Sequence, residues 1–485
     1  MLTEYRVQNT EYRLSMIALL ILLNVYFVSF ADKPEKTAPQ LSERAIEQRQ
    51  KWNIPTDEMD YPVSRLYLDS LRHMGVRIYH CSRWFNGATC EMSDALATKV
   101  AALRFVTEVE MTRDNSSARL FNRKRLPEIA GQGTTTPEPP RATDDQLALY
   151  DLFPLHGAGY NGQGILMSIC DGGFYLADTM SCFRHALELG HFDFTDDTDG
   201  FYGSTGTHGT ECLSVISAID DDFYGAATQA EYYLMRAEEY ATESPKEMDN
   251  VVAALEKSDS LGVNVFSISL GYYVFDNSNW DLTHADLDGQ STRVSRAATI
   301  AARKGMLVCA AAGNEANKNW QRICVPADAD SVLAVGAVDT EGYIGDFSSY
   351  GPSADGRIKP DVCAVGVRAC VMSPYGIPIY SNGTSFAAPL LAGLAATLWS
   401  ALPNENAMQI RERIIRSADR YTDPSTDRYG YGIPDAWMAY TMTLPEDIQS
   451  AEEETDSTPT KVISGSTVYI LRHGHIYNLA GQMVR

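Results

Sequence analysis

Nucleic-acid binding and a zinc ribbon have little support in this 485-residue sequence, because basic residues are scarce and the cysteines are wrongly spaced. Basic residues are few: 40 Lys and Arg stand against 63 Asp and Glu, which gives a formal net charge of −23. Such a charge repels polyanions, so nucleic acid is not an expected partner. The nine cysteines include no Cys-x-x-Cys pair, which argues against a zinc ribbon.

Long apolar runs are also absent after the first 31 residues. The run over residues 14–31 ends in Ser29-Phe30-Ala31, a small-x-small pattern that signal peptidase accepts. We therefore predict a signal peptide over residues 1–31, with a retained membrane anchor as the alternative. Both interpretations place the rest of the chain outside the cytoplasm, either secreted or at the cell envelope.

The N-terminal part of the remaining chain has the pattern of a small α+β domain. Residues 32–113 contain two segments with helical spacing and three that alternate apolar and polar residues like strands. Residues 114–146 lose this periodicity, collect Pro, Gly, Thr and Asn, and predict a linker. The linker includes the basic run Arg123-Lys124-Arg125, which is either a protease-accessible site or a solvated charge run.

The largest segment, residues 147–443, alternates short apolar strands with helical patterns. Strands rich in apolar residues throughout, such as GILMSIC and MLVCAAAG, are typical of a parallel sheet buried on both faces. The sequence thus predicts a three-layer α/β domain with a mostly parallel central sheet. Residues 444–460 predict an acidic linker, and residues 461–485 predict a short β-like tail.

Three motifs at predicted turns of the α/β domain carry residues of one chemistry. Asp171 follows an apolar strand, His208 opens a helix within Gly-Thr-His-Gly-Thr, and Ser385 opens another helix within Gly-Thr-Ser. Asp171 and Ser385 alone fit a turn or helix cap, and His208 alone fits a metal ligand, a cap or a base. Together they provide a hydroxyl nucleophile, a base and a group that orients the base, in the chain order Asp, His, Ser. A side-chain amide, Asn314, follows another buried strand and could donate to an oxyanion.

Two other functions compete with this interpretation. An esterase or lipase of the α/β-hydrolase type needs Gly-x-Ser-x-Gly, and here Ala387 occupies the last glycine position. A non-catalytic peptide-binding protein needs no intact triad.

The same motifs resemble those of the subtilases, the subtilisin-like serine peptidases. The matching segments are ILMSICDGG, GTHGTE, SISLG, AAAGNE, FSSYGP with GRIKPDV, and GTSFAAP, in family order over some 300 residues. The resemblance implies a triad of Asp171, His208 and Ser385, with Asn314 in the oxyanion hole. It also implies a peptide-binding strand at Ser269, Leu270 and Gly271, with Gly313 beside it. One departure from the family pattern is Gly172, where Thr or Ser is usual after the catalytic Asp.

The resemblance extends to the expected partners and domains. The small α+β domain resembles the inhibitory, chaperone-like prodomain of secreted bacterial subtilases. We therefore expect a self-processing endopeptidase that acts on polypeptides, is inhibited by its own prodomain and functions as a monomer. No redox or organic cofactor is required. A structural Ca²⁺ could bind the acidic residues Asp193, Asp196, Asp197 and Asp199, or Asp220, Asp221 and Asp222.

The cysteine spacing leaves the disulfides undetermined. We consider pairs Cys309–Cys324 and Cys363–Cys370 in the catalytic domain and Cys81–Cys90 in the prodomain. With an odd number of cysteines, at least one thiol stays outside any pairing within the chain.

Overall fold

The computed structural model of the protein describes residues 23–115, 143–195, 200–203, 206–425, 428–444, 460–464, 467–472 and 475–477. Within this range the chain divides into two compact units, residues 1–441 and 442–485.

The first elements build a four-stranded antiparallel sheet with helices packed against it. The strands are β1 (Asn24–Phe30), β2 (Arg77–Ser82), β3 (Gly87–Met92) and β4 (Val106–Arg113), in the order β2-β3-β1-β4. The helices are α1 (Glu43–Lys51), α2 (Arg65–His73) and α3 (Asp94–Ala101). Without α1, this is the β-α-β-β-α-β order of a ferredoxin-like unit. The predicted helices and strands of the prodomain are therefore present.

The predicted domain boundary at Ala31 is wrong, because the chain forms an inner strand of this sheet before it. Residues 24–30 pair with β3 on one side and β4 on the other, and Val25, Phe27 and Val28 are buried. The apolar run that suggested a signal peptide is thus partly the core strand of the prodomain. A cut after Ala31 would remove that strand, which would leave β4 without a partner and expose one edge of β3.

The second sheet has seven strands, and every neighbouring pair is parallel. Its order is β13-β12-β11-β10-β5-β9-β6. These strands are β5 (Leu166–Asp171), β6 (Leu187–Asp193), β9 (Glu231–Arg236), β10 (Val265–Ile268), β11 (Leu307–Ala311), β12 (Leu333–Val338) and β13 (Val362–Val365). Two short hairpins lie outside it, formed by β7 (Ile219–Asp220) with β8 (Phe223–Tyr224), and by β14 (Ala369–Met372) with β15 (Pro378–Ser381).

Helices cover both faces of this sheet, as the apolar strands predict. Successive residues of β5 alternate between two cores: Met167 and Ile169 lie in one, Leu166 and Cys170 in the other. The eight helices of this part of the described chain are α4 (Asp144–Ala148), α5 (Phe153–Gly157), α6 (His208–Ser217), α7 (Pro245–Leu261), α8 (Arg293–Arg303), α9 (Thr384–Ala401), α10 (Ala407–Arg416) and α11 (Ala436–Thr441). Side chains of α6 and α9 contribute to the first core, and those of α7 and α8 to the second.

One described helix, α9, has the length and hydropathy of a membrane span, and 89% of that window is buried inside the protein. It is the central helix of the first core. Its apolar sequence therefore reflects packing within the domain.

The first predicted linker, residues 114–146, ends earlier in the structure than the sequence predicts. Thr143 and Gln146 are buried. The Gln146 side chain donates to the Cys370 carbonyl (3.2 Å) and accepts from the Cys370 amide (2.9 Å). The catalytic domain therefore begins inside the predicted 114–146 linker. Residues 116–142, with the basic run at 123–125, and residues 445–459 lie outside the described residues. In the second unit, the predicted tail strands are present as β16 (Thr460–Ser464), β17 (Thr467–Arg472) and β18 (His475–Tyr477), an antiparallel meander.

None of the nine cysteines forms a disulfide, so the three pairs considered from the sequence are wrong. Eight of the nine are buried, and Cys81 is exposed. Burial raises the pKa of several of these thiols, among them Cys363 and Cys370, each to about 12. These cysteines therefore act as small apolar core residues.

We expect a thiol titration of the unprocessed chain to detect one reacting thiol in native protein and nine in guanidinium chloride. Dithionitrobenzoate measures both numbers without reductant. The Cys81→Ser variant is the control and should lower each count by one. A count of seven or fewer in the unfolded wild-type chain would reveal a disulfide.

Candidate active site

The structure brings two of the three predicted triad residues into hydrogen-bond contact. Asp171 is the last residue of β5, at the carboxyl edge of the parallel sheet, where such folds place their sites. His208 is the first residue of α6, and its Nδ1 lies 2.8 Å from Asp171 Oδ1 and 3.0 Å from Oδ2. The Gly172 amide donates to Asp171 Oδ1 at 2.7 Å, which fixes the carboxylate in turn.

Glycines permit this approach of strand and helix. A Cβ on Gly206 would lie 2.5 Å from the Gly173 Cα, and a Cβ on Gly209 would lie 2.3 Å from the Gly173 carbonyl oxygen. Real Cβ atoms do not come this close to backbone. The Asp-Gly-Gly and Gly-Thr-His-Gly motifs therefore act as a pair: their small residues let the turn after β5 touch the start of α6.

The electrostatics of His208 follow from its position beside Asp171. Burial is the largest single effect and disfavours the imidazolium, but the charge and hydrogen bond of Asp171, together with the contact to Cys212, outweigh it, so the pKa of His208 lies well above its ordinary value. Burial also raises the pKa of Glu211, one helical turn on, to about 7, against the opposing effect of His208. The buried Asp171 carboxylate thus stabilises the imidazolium form of His208.

Ser385 lies in the first turn of α9 and is 4% exposed. Its backbone carbonyl accepts hydrogen bonds from Ser269 Oγ (2.8 Å) and Cys212 Sγ (3.1 Å). Its own Oγ has no hydrogen-bond partner among the described residues, so the contact with His208 is not formed here. Ser385 is thus held through its backbone, while its hydroxyl makes no hydrogen bond to the described residues.

Cys212 contacts His208, and the motifs around the predicted triad do not indicate this contact. Its Sγ lies 3.8 Å from His208 Nδ1 and 3.9 Å from Nε2. Burial raises its pKa to about 12, so the group is a thiol rather than a reactive thiolate. The signal that could have found it is its spacing of four residues from His208, which places both on one helix face.

The Asn314 amide is oriented by Thr384, the residue before the candidate nucleophile Ser385. Asn314 Oδ1 accepts from the Thr384 amide (2.9 Å) and from Thr384 Oγ1 (3.0 Å), so the donor side of the amide is Nδ2. Thr384 Oγ1 also accepts from the Gly313 amide at 3.1 Å. Sequence reasoning missed this role of Thr384, although a hydroxyl directly before the candidate nucleophile marks the position.

The residues expected to bind substrate continue two of the central strands. Ser269, Leu270 and Gly271 follow β10, and Gly313 follows β11. The Leu270 side chain is buried in the second core, and the Ser269 hydroxyl binds the Ser385 carbonyl. Gly313 has φ +111°, and a Cβ there would lie 2.7 Å from Cys324 Sγ. Substrate contact at these positions must therefore come from the backbone.

The structure describes only some of the acidic residues expected to bind Ca²⁺. Asp193 accepts from the Thr195 amide (2.9 Å) and lies 3.5 Å from an Arg236 nitrogen, which already offsets its charge. Asp196, Asp197 and Asp199 lie outside the described residues, and Asp220–Asp222 are exposed on the β7–β8 hairpin. A structural Ca²⁺ stays a prediction.

Comparison with known proteins decides the family. The model of the subtilase family, Peptidase S8, matches residues 162–432, more than half of the chain. The chain belongs to the subtilase family. A model of the peptidase S8 propeptide domain of Bacteroidota matches residues 25–127, which supports the start of the prodomain at β1 rather than after Ala31.

Curated relatives are consistent with this. The chain is 28% identical to subtilisin DY of Bacillus licheniformis over 291 residues, which covers 59% of this chain and 94% of that protein. It is 27% identical to subtilisin Savinase of Lederbergia lenta over 288 residues, covering 59% and 93%. The structure of MycP1 from Mycobacterium smegmatis matches with a TM-score of 0.52 at 20% identity, covering 69% of this chain and 92% of that one, and shows the shared fold.

The subtilase is therefore a serine-type endopeptidase with an α/β catalytic domain and a propeptide domain. The resemblance inferred from the sequence motifs is confirmed.

Proposed function

We propose that this subtilase hydrolyses peptide bonds through an acyl-enzyme, with Asp171, His208 and Ser385 as its triad. The observation that carries the proposal is the hydrogen bond of His208 Nδ1 to the buried Asp171, which leaves Nε2 as the nitrogen that can take the serine proton. His208 Nε2 accepts the proton as Ser385 Oγ attacks the carbonyl, then delivers it to the leaving amine. Water repeats the cycle on the acyl-enzyme.

The Ser385–His208 contact that this step needs is made in the reacting complex, since such bonds are often unformed without substrate. The oxyanion is bound by Asn314 Nδ2 and the Ser385 amide. That amide belongs to the first turn of α9, where backbone N–H groups have no partner within the helix. All of these steps use side chains and amides of the chain itself, with no redox or organic cofactor.

The polypeptide substrate would lie between two chain segments that flank Asp171. Because β5 is between β9 and β10, the segments that follow those strands border the triad on both sides. Residues 269–271 form one wall. Glu238 and Tyr240 form the other: a Cβ on Gly172 would lie 3.0 Å from Glu238 Oε2 and 3.2 Å from the Tyr240 hydroxyl. An extended peptide can pair with the first wall as an added strand.

The prodomain is positioned to act as the inhibitor of this site. Glu256 of α7 accepts from Ser82 Oγ (2.5 Å) and the Arg83 amide (2.8 Å) of the prodomain. At the end of β4, Arg113 pairs with Glu239 at 2.6 Å, directly beside the second wall. The last strand of the prodomain thus ends next to the cleft. The linker that follows it therefore starts near the active site, which supports a zymogen that cuts its own linker. Both parts come from one chain, so we take the monomer as the acting unit.

We propose a secreted or cell-envelope location. The targeting segment must end before Asn24, because β1 is needed in the folded prodomain.

We expect a fluorophosphonate probe to label the processed wild-type enzyme, and the Ser385→Ala chain to be neither labelled nor processed. N-terminal sequencing of both secreted forms would locate the targeting cut and the prodomain cut. A non-catalytic peptide-binding protein would take up no probe in either form. An esterase would take up probe and cleave short acyl esters but not casein.

A further inference from the structure

The connection between β1 and α2, residues 31–64, is longer than this fold requires. It adds no strand to the prodomain sheet, yet it contains α1 and a 3₁₀ turn at Glu58–Asp60. Its residues 42–60, here called the docking arm, lie against the catalytic domain. We propose that the docking arm is a second anchoring surface, remote from the active site, that keeps the prodomain bound after the linker is cut. This rests on the inhibitory role proposed above for the prodomain.

The docking arm binds the edge of the central sheet opposite the triad. Arg44 donates to the Gly164 carbonyl (2.8 Å), to Asn264 Oδ1 (3.0 Å) and to Glu231 Oε2 (3.0 Å). These three acceptors lie at the starts of β5, β10 and β9, whereas Asp171 ends β5. A strand of this length separates the two edges by about 17 Å. The arm therefore contributes to affinity without blocking the cleft.

The end of α7 is completed by the arm. The Ser42 amide donates to the Ser260 carbonyl (2.8 Å), and Ser42 Oγ donates to the Leu261 carbonyl (3.0 Å). The last carbonyls of a helix have no partner within the helix, so an external donor satisfies them. Ser42 Oγ also accepts from the Ala45 amide (3.1 Å), which caps α1. Ser42 thus caps the start of α1 in the arm and the end of α7 in the catalytic domain.

The strongest contact is a network of four buried charges that crosses the interface twice. Arg49 of the arm donates to both carboxylate oxygens of Asp259, each at 2.8 Å. Arg49 also pairs with Asp60 of the arm (2.7 Å), and Asp60 pairs with Lys304 of the catalytic domain (2.8 Å). All four side chains are 6% exposed or less. Each positive charge therefore lies against a negative one with little water between them.

Loss of Arg49 would leave two buried carboxylates with one cation fewer each, since Asp259 keeps Arg83 of the prodomain and Asp60 keeps Lys304. Such a loss weakens a complex more than loss of an exposed pair. Pairs shielded from solvent are also little screened by salt. The network thus favours a prodomain that stays bound after cleavage and dissociates slowly.

The test uses the full chain with Ser385→Ala, in which a recognition sequence for a site-specific protease replaces residues 123–125. After that protease has cut the linker, dilution followed by size-exclusion chromatography gives the dissociation constant of the nicked complex. We expect Arg49→Ala to raise it at least about 100-fold. Because this chain has no nucleophile, the measurement stands even if the proposed catalytic function fails.

The matched control is Arg72→Ala, which removes an arginine from an exposed pair with Asp69 on α2 of the prodomain. Its nicked complex should dissociate like the parent. Arg44→Ala covers the case in which Arg49→Ala does not fold, since that side chain is about one third exposed (36%), and we expect a rise of about 5-fold. Equal dissociation constants for Arg44→Ala, Arg49→Ala and Arg72→Ala would overturn the proposal.

Discussion

Replacing Ser385 or His208 with alanine should lower kcat on a peptide substrate by about 10⁶-fold, the loss measured for the corresponding residues of subtilisin. The two groups act as a unit, because the serine hydroxyl is a weak nucleophile until the imidazole takes its proton. Removing both should therefore cost little more than removing either. Initial rates on a fluorogenic peptide give the comparison. Because the inactive variants do not process themselves, every chain carries the recognition sequence for a site-specific protease in place of residues 123–125, and the prodomain is removed after that cut.

Ser400→Ala is the matched control for the serine, since Ser400 lies at the far end of the same helix and its Oγ donates to the Thr397 carbonyl. His284→Ala is the matched control for the histidine, because His284 is exposed and lies 76 positions from His208 in the sequence. Both controls should keep wild-type kcat. A Ser385→Ala enzyme that keeps a tenth of the wild-type rate would rule out this triad.

Replacing Asn314 with leucine should lower kcat about 10²–10³-fold and leave KM nearly unchanged. This magnitude, too, is known from the oxyanion-hole asparagine of subtilisin. The amide bonds to the substrate oxygen only once that oxygen becomes charged, so its loss affects the transition state and not substrate binding. Steady-state kinetics separate the two parameters.

Asn317→Leu is the matched control, because this residue is exposed three positions along the same loop and should tolerate the change. Thr384→Val should give a smaller fall in kcat, since it removes one of the two bonds that orient Asn314 and keeps the bond from the Thr384 amide. An increase in KM with unchanged kcat would place Asn314 in substrate binding instead.

Much of the catalytic domain could be predicted from local patterns. Strands such as β5 and β11 are mostly apolar because both faces are buried, and this pattern indicates a parallel sheet. The motifs around Asp171, His208 and Ser385 are short and local, and their resemblance to the subtilases led to the correct family. The contact between Asp171 and His208 follows from the sheet, because a strand end and a helix start meet at its carboxyl edge.

The N-terminal boundary could not be predicted in this way. The apolar residues 24–30 fit a signal peptide and a buried strand equally well, because both need continuous hydrophobicity. Pairing with β3 and β4, some 60 and 80 residues away in sequence, distinguishes the two. Cysteine spacing misled for a related reason: closeness in sequence does not place two thiols side by side, and all nine cysteines stay unbridged.

By itself, the sequence determined the family, the α/β fold and the three residue types of the triad, because these depend on periodicity and on short motifs. Only the tertiary structure decided which groups surround them. Three contacts show this. Cys212 contacts His208, four positions away, and Thr384 hydrogen-bonds Asn314, 70 positions away. Arg49 of the prodomain pairs with Asp259 of the catalytic domain, 210 positions away. The two longer separations carry no local pattern, since packing of whole elements brings those residues together.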